Sequence, residues 1–343
     1  MRKYLLPQAG NFYKANLHSH STISDGKLTP QEMKELYKSK GYSIIAYTDH
    51  DVMIPHHELT DDTFLALTGF EAEFNQFDSY PAKAMNPKTC HLCFVAGKSD
   101  METMPCGNER YAYIGNAAKH IEKIKFDESN SPFERHYTPE NINKMIEEGR
   151  KAGFFVTYNH PTWSLEDYEQ YTKYEGMHAM EILNYACENA GYPGYVPSIY
   201  DDMLRSGKKI FAIAADDNHN VHPHNSPYSD CGGWIMIKAE KLQYEAITDA
   251  LFAGNFYASS GPEIYELYVE DNKLYVSCSD AVKIAFSKNC RRTQKINAPK
   301  GEHVNHAVFE LFDTDVDEYF RITITDSNGN HANTNAYFIE DLK

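Results

Sequence analysis

The first 220 residues alternate between short apolar runs and amphipathic stretches. Residues 43–48, 64–70, 91–95, 154–159, 180–184 and 210–215 have the length and the β-branched or aromatic content of buried strands. Between them the hydrophobic period lengthens to three and four. Thr29, Pro30, Gln31 and Glu32 form an N-cap with proline in the first turn, Met33, Leu36 and Tyr37 follow on one face, and Gly41 ends the helix. Residues 139–149 repeat that helical pattern. Strands alternating with helices predict an α/β barrel, whose functional residues gather at the carboxyl ends of its strands. Two stretches break the rhythm. Residues 72–90 have little periodicity, and residues 101–138 carry one helical piece at 117–124. Loops of this length are expected to act as lids or substrate walls over the mouth of the barrel.

Past Ser259, Ser260, Gly261 and Pro262 the pattern changes. Residues 264–270, 273–279, 282–286, 306–312, 318–325 and 331–338 are short, often alternating runs, with turn signals at Asp271-Asn272 and Asn328-Gly329. The predicted organisation is therefore a barrel over residues 1–260, with insertions at 72–90 and 101–138, followed by a small antiparallel β-sandwich over 261–343. The sandwich aromatics Tyr265, Tyr268, Tyr275, Phe309 and Phe320 read as core or cross-strand pairs.

Charge narrows the partners. With 33 Lys and Arg against 49 Asp and Glu, the net charge is -16. That excludes a broad basic face for duplex nucleic acid, though a local cationic cluster could still hold one phosphate. No apolar run is long enough to span a membrane, and the N-terminal apolar run is too short for a secretory signal. The seven cysteines show no paired framework, so a reducing cytoplasm is the predicted setting.

The polar residues that interrupt the apolar pattern carry the chemistry. His18 and His20, two apart on a strand, present both imidazoles to one side. The later runs deliver His50, Glu71, His160, Asp217 and His219 at their ends, His91 opens another run, and Asp25 sits in a Ser-Asp-Gly turn. Imidazole with carboxylate suits zinc, manganese or iron. Cys90 and Cys93 flank His91, but their odd spacing sends them to opposite faces of a strand, which argues against a metal pair. Asp49 and Asp51 are placed to orient His50 from behind. Arg110, Arg135 and Arg205 are the candidate anion grips, with Arg110 and Arg135 favoured as phosphate-binding because both fall in the long insertion. His56, His57, His222 and His224 read as solvated loop histidines near the mouth.

Taken in order, His-x-His with Ser-Asp-Gly, Thr-Asp-His-Asp at 48–51, Gly-x-Glu at 69–71, a lone His91, Asn-His-Pro at 159–161 and Asp-x-His at 217–219 resemble the PHP family, named for polymerase and histidinol phosphatase. The resemblance covers roughly residues 14–260. It implies a distorted (β/α)7 barrel, a site for two or three divalent ions, and hydrolysis of phosphate esters. It further implies that His18, His20, Glu71 and Asp217 hold one ion, and that Glu71 bridges to a second held with His91 and His160. Asp25, His50 and His219 would hold the third. Histidinol phosphatases of the family carry a histidine where this chain has Asp25, whereas its nucleotide and oligoribonucleotide phosphoesterases resemble this chain in having Ser-Asp-Gly. The substrate is thereby tilted away from histidinol phosphate.

Charge balance points the same way. Three divalent ions against three carboxylates leave an excess that a hydroxide and a dianionic phosphate neutralise, whereas an amide or lactone would leave the site overcharged. The expected activity is a metal-dependent phosphoesterase acting on small phosphate monoesters, nucleotides or short single-stranded oligonucleotides. A metal-bridging hydroxide would attack phosphorus in line, with His18, His20, Asp25, His50, Glu71, His160, Asp217 and His219 as the catalytic set. Two alternatives stand beside it: an amidohydrolase-type metallohydrolase cleaving an amide or lactone, and a binding module whose barrel is inert. Oligomeric state is not legible.

Overall fold

The computed structural model describes residues 2–81, 87–129, 132–221, 231–311 and 318–342. Local signals form where the sequence puts them. In the Pro30–Ser39 helix, Thr29 accepts from the Glu32 amide while the Glu32 carboxylate accepts from Thr29 N at 2.8 Å, closing a capping box. The Pro139–Lys151 helix, capped by Thr138, buries Ile142, Met145, Ile146 and Gly149 and packs on the Phe154–Tyr158 strand.

The structure is a mixed α/β fold built on one large sheet. Its strand order is Phe211–Ala215, Ala179–Asn184, Phe154–Tyr158, Thr89–Ala96, Leu65–Asn75, Ile44–Tyr47, Asn11–Asn16, Trp234–Ala239, Phe256–Ser259, His331–Thr334, Tyr319–Thr325, Lys283–Lys288 and Gln294–Asn297. Parallel pairs join Asn11–Asn16 to Ile44–Tyr47, Ile44–Tyr47 to Leu65–Asn75, and Ala179–Asn184 to both Phe154–Tyr158 and Phe211–Ala215.

The expected barrel is a distorted (β/α)7 one, and the strands depart from regular parallel order. The Thr89–Ala96 strand is antiparallel to both of its neighbours, Leu65–Asn75 and Phe154–Tyr158. Among the described residues no ladder joins Asn11–Asn16 to Phe211–Ala215. Just beyond those strands, Asp217 N donates to His18 O at 3.0 Å and His20 N to Asn218 O at 2.9 Å. These bonds join the two chain segments just past the carboxyl ends of the strands, where the candidate ligands lie.

The stretch 72–90 is also more regular than its composition suggests. Phe74 pairs with Cys90 and Asn75 with Thr89, so its two ends are strand. In the 101–138 stretch the expected helical piece is a 3-10 helix, Ala117–Lys123, and a short parallel pair joins Thr103–Met104 to Lys125–Phe126. Asn116 ties this segment down: its amide donates to Ser24 O at 2.7 Å and its side chain to Thr22 O at 3.1 Å.

A second, four-stranded antiparallel sheet is formed by Lys3–Tyr4, Ile264–Glu270, Lys273–Ala281 and Val304–Glu310. Its Ile264, Leu267, Leu274 and Phe309 share a core with Phe286, Phe320 and Ile322 of the large sheet. The Asn328-Gly329 signal is a turn between Tyr319–Thr325 and His331–Thr334, with Thr325 opposite His331. The large sheet runs on across residue 260, because Phe256–Ser259 pairs with both Trp234–Ala239 and His331–Thr334. Among the described residues no helix is long and apolar enough to cross a membrane.

Candidate metal centre

All nine candidate ligands converge on one cluster, with Glu71 at its middle. Glu71 Oε1 lies 3.1 Å from His18 Nε2, 3.2 Å from His91 Nδ1 and 3.4 Å from His160 Nε2. Its Oε2 lies 3.3 Å from both His20 Nε2 and His50 Nδ1. Asp217 Oδ1 is 3.2 Å from His18 Nε2 and 3.1 Å from His20 Nε2. Asp25 Oδ2 is 3.4 Å from His219 Nε2 and 4.0 Å from His50 Nε2.

The reversed Thr89–Ala96 strand explains how His91, near the start of its strand, joins Glu71 within Leu65–Asn75 and the ligands that follow other strands. Running antiparallel to both neighbours, it brings its first residues to the edge where those neighbours finish, with His91 opposite Glu73 and Cys93 opposite Glu71. Backbone strain gathers at the same edge. Asp51, His160 and Asp217 hold φ of 54°, 26° and 50°, a region that costs an L residue about 1–2 kcal/mol. Gly26 is required by close approach, since a Cβ there would sit 2.1 Å from His20 O.

The electrostatics match a cation site. Burial opposes ionisation of Glu71 and Asp217, yet the surrounding imidazoles hold both carboxyls well below the usual range. Burial alone would lower His20, but its bonds to Asp217 and Glu71 more than offset that and raise it to about 10. His50 goes the other way, down to about 3, through burial and the neighbouring His20.

The donor set fits divalent ions. His20 Nδ1, His50 Nδ1 and both nitrogens of His91 are buried without a hydrogen-bond partner, although carboxylate oxygens lie close by. Buried imidazole nitrogens left this way lack compensation unless a cation takes their lone pairs. Among the described residues, four groups have donor atoms within 4.8 Å of one another: His18, His20 and Asp217; His50, Glu71 and His91; His20, Asp25, His50 and His219; and His18, Glu71 and Cys93. The third contains the expected Asp25, His50 and His219, with His20 added.

Several expectations are revised by position. Asp49 does not orient His50; its carboxylate accepts from the amides and hydroxyls of Ser21 and Ser24 at 2.7–2.9 Å, bracing the turn that carries Asp25. Asp51 is bonded to the buried guanidinium of Arg135 instead. Arg135 is therefore committed beneath the site, where it also donates to Glu73 O at 3.0 Å, and is not a free phosphate grip. Arg110 is exposed and paired with Glu134 at 2.7 Å, and Arg205 with Asp202 at 2.6 Å. His56 packs against the Tyr47 ring, while His222 and His224 lie outside the described residues.

Other residues at the site were set aside, as Cys93 was, or went unrecognised, as Trp163 and Glu181 did. Cys93, opposite in facing to Cys90 as the odd spacing implies, has Sγ 3.0 Å from Asn159 Nδ2 and stands beside His18 and Glu71. Burial pushes its thiol up to about 11. Trp163 stacks edge-on against His91 and His160, at centroid distances of 5.3 and 5.1 Å. Glu181 is the most informative omission. It is fully buried, takes a 2.7 Å bond from His18 Nδ1, and accepts from His160 N and Asn184 Nδ2 at 2.8 Å each. A lone carboxylate inside an apolar strand was its signal in the sequence.

With Nδ1–H given to Glu181, His18 turns the lone pair of Nε2 into the cluster. Glu181→Gln is expected to weaken zinc or manganese binding by about 10–100-fold, because the new amide cannot accept from all three donors. Competition titration against a chromogenic chelator measures this, and an unchanged affinity would deny Glu181 a positioning role.

No protein-family model and no curated protein matches the chain. Among solved structures it is similar to a two-domain protein of Bacteroides vulgatus containing a predicted PHP-like metal-dependent phosphoesterase, at 13% identity and TM-score 0.44 over 98% of each chain. It is also similar to a Bifidobacterium adolescentis protein, named by prediction a metal-dependent phosphoesterase, at 16% identity and TM-score 0.38 over 64% of this chain and 91% of that one. A third likeness is an amidohydrolase from Chromobacterium violaceum with bound sulfate and no metal, at 15% identity and TM-score 0.32 over 60% of this chain and 87% of that one.

Proposed function

We propose that this chain is a metal-dependent phosphoesterase of PHP type that hydrolyses small phosphate esters. The observation that carries the reading is the carboxylate of Glu71, whose two oxygens face two different groups of imidazoles across one buried cluster. A carboxylate so placed suits the bridging position of a polynuclear site.

His18, His20 and Asp217 would hold one ion, and Glu71 with His91 and His160 or His50 a second. Asp25 with His50 and His219 would hold a third. Bound there, divalent cations would supply the positive charge that polarises a phosphoryl oxygen and activates water. The protein's own part is to keep the three carboxylates ionised, to aim imidazole lone pairs inward, and to limit access. The cluster lines a cavity of about 290 Å³, open to solvent beside Asp25 and His219, which suits a small ester. Among its described lining residues there is no Lys or Arg, so a phosphate would depend on the bound cations for its countercharge. In this reading the strands before residue 260 form a distorted barrel in which Thr89–Ala96 and Trp234–Ala239 run against their neighbours, and the strands after residue 260 form an appended sandwich.

The test is phosphate release by the full chain from aryl phosphates, sugar phosphates, mononucleotides, nucleoside 3',5'-bisphosphates and short oligoribonucleotides, with manganese or zinc and with chelator. Release from at least one group, abolished by chelator and restored by metal, is the expected result. Bound metal without release from any of them would instead favour amide or lactone hydrolysis.

A further inference from the structure

Beyond the ligands, the cavity is lined by Ile114, Trp163, Ala186, Cys187 and Ala190, with Glu73 the additional carboxyl. Two features of that wall point to what it accommodates. Trp163 is 43% exposed although its indole stands within ring-contact distance of His91 and His160. A large exposed aromatic directly beside a polar centre is an unfilled contact surface. It is also held firmly. The turn from His160 to Glu166 is closed by Ser164 N to His160 O, Leu165 N to Thr162 O and Glu166 N to Pro161 O. The Glu166 carboxyl that ends it receives the hydroxyls of Tyr137, Tyr158 and Tyr174. The indole is thus presented by a braced turn, which lowers the entropic cost of stacking a ligand on it.

The second feature is the Tyr185–Ala190 helix. Ala186 and Ala190, four residues apart and so on one face, reach the cavity with only methyl groups and leave room for a planar body. The cations seen elsewhere do not serve this wall: Arg135 is bound to Asp51 and Arg110 to Glu134. Among the described lining residues no Lys or Arg is placed to receive a second phosphate.

Resting on the phosphoesterase reading above, we propose that this site selects esters bearing a single phosphate whose leaving group is a flat, uncharged aromatic ring close to the ester oxygen, with Trp163 as the residue that selects it. The indole is only one ring contact from His91 and His160, so the favoured ring is joined to the phosphate directly or through one carbon. A nucleobase held across a ribose is too distant for that contact.

Binding of non-hydrolysable probes to the metal-loaded full chain separates the two readings. Phenylphosphonate is expected to bind about tenfold more tightly than methylphosphonate, the usual worth of one aromatic stack. Its binding is also expected to alter tryptophan emission, which arises from two tryptophans in the chain. In Trp163→Ala the preference falls toward unity. In Trp163→Phe most of the preference returns while the emission change is lost. Equal affinity for the two phosphonates in the native protein, or a preference that survives Trp163→Ala, would overturn the assignment while leaving the phosphoesterase reading intact. Tighter binding of a nucleoside 3',5'-bisphosphate than of phenylphosphonate would also overturn it. Failure of both phosphonates and of inorganic phosphate to bind, with metal content verified, would remove the phosphoesterase reading and this assignment with it.

Discussion

Glu71→Gln is expected to lower metal-dependent phosphate release by more than about a hundredfold and to leave the protein short of metal. Loss of groups that merely orient metal ligands costs about 10–100-fold, and Glu71 stands at the centre of the cluster. Five imidazole nitrogens lie within 3.4 Å of its two oxygens. Glutamine is nearly isosteric, so the packing is kept. It removes the negative charge and turns an NH2 toward nitrogens that should face a cation. Kinetics on any substrate turned over, together with elemental analysis of the dialysed protein, check both halves. Native turnover and native metal content in this variant would sink the bridging role.

The largest expected effect on stability lies outside the ligand set. Arg135→Met should destabilise the protein by about 3–5 kcal/mol, the range for removing one partner of a buried ion pair. Arg135 is fully buried, bonded to both oxygens of Asp51 and to Glu73 O, and lies over the Tyr111 ring at 4.3 Å. Without it, Asp51 becomes an uncompensated buried carboxylate close to Glu73, whose own carboxyl is already pushed up to about 8 by burial and by Asp51. Adding Asp51→Asn should recover part of the loss, since it removes the stranded charge and suits the left-handed backbone at that position. Denaturant titration of the two variants gives the comparison. A loss below about 1 kcal/mol in Arg135→Met would mean that the pair behaves as a solvated surface bridge.

Much of the candidate site was legible because its residues break a hydrophobic pattern. His50, Glu71, His160, Asp217 and His219 each end or follow an apolar run, and a buried strand tolerates such groups only where something compensates them. Their residue types also state the chemistry, since imidazole and carboxylate together specify a class of cation. The capping box at Thr29 and the turn at Asn328-Gly329 were equally plain, because both depend on contacts a few residues apart.

Sequence alone therefore determined many of the buried strands, though not Trp234–Ala239 or Phe256–Ser259, together with the local caps and turns and the donor types of the centre. Tertiary structure alone decided that Thr89–Ala96 runs backwards, which is how His91, already a candidate ligand in the sequence, comes to lie beside Glu71. It also decided that Arg135 serves Asp51 rather than a phosphate, and that Glu181 lies behind His18. The reason is physical. Periodicity records whether a position is buried, and a strand buries the same residues whether its neighbour is parallel or antiparallel. A buried charge likewise announces that it needs a partner, but that partner is supplied by chain packing: 163 residues separate Glu181 from His18, and 84 separate Arg135 from Asp51.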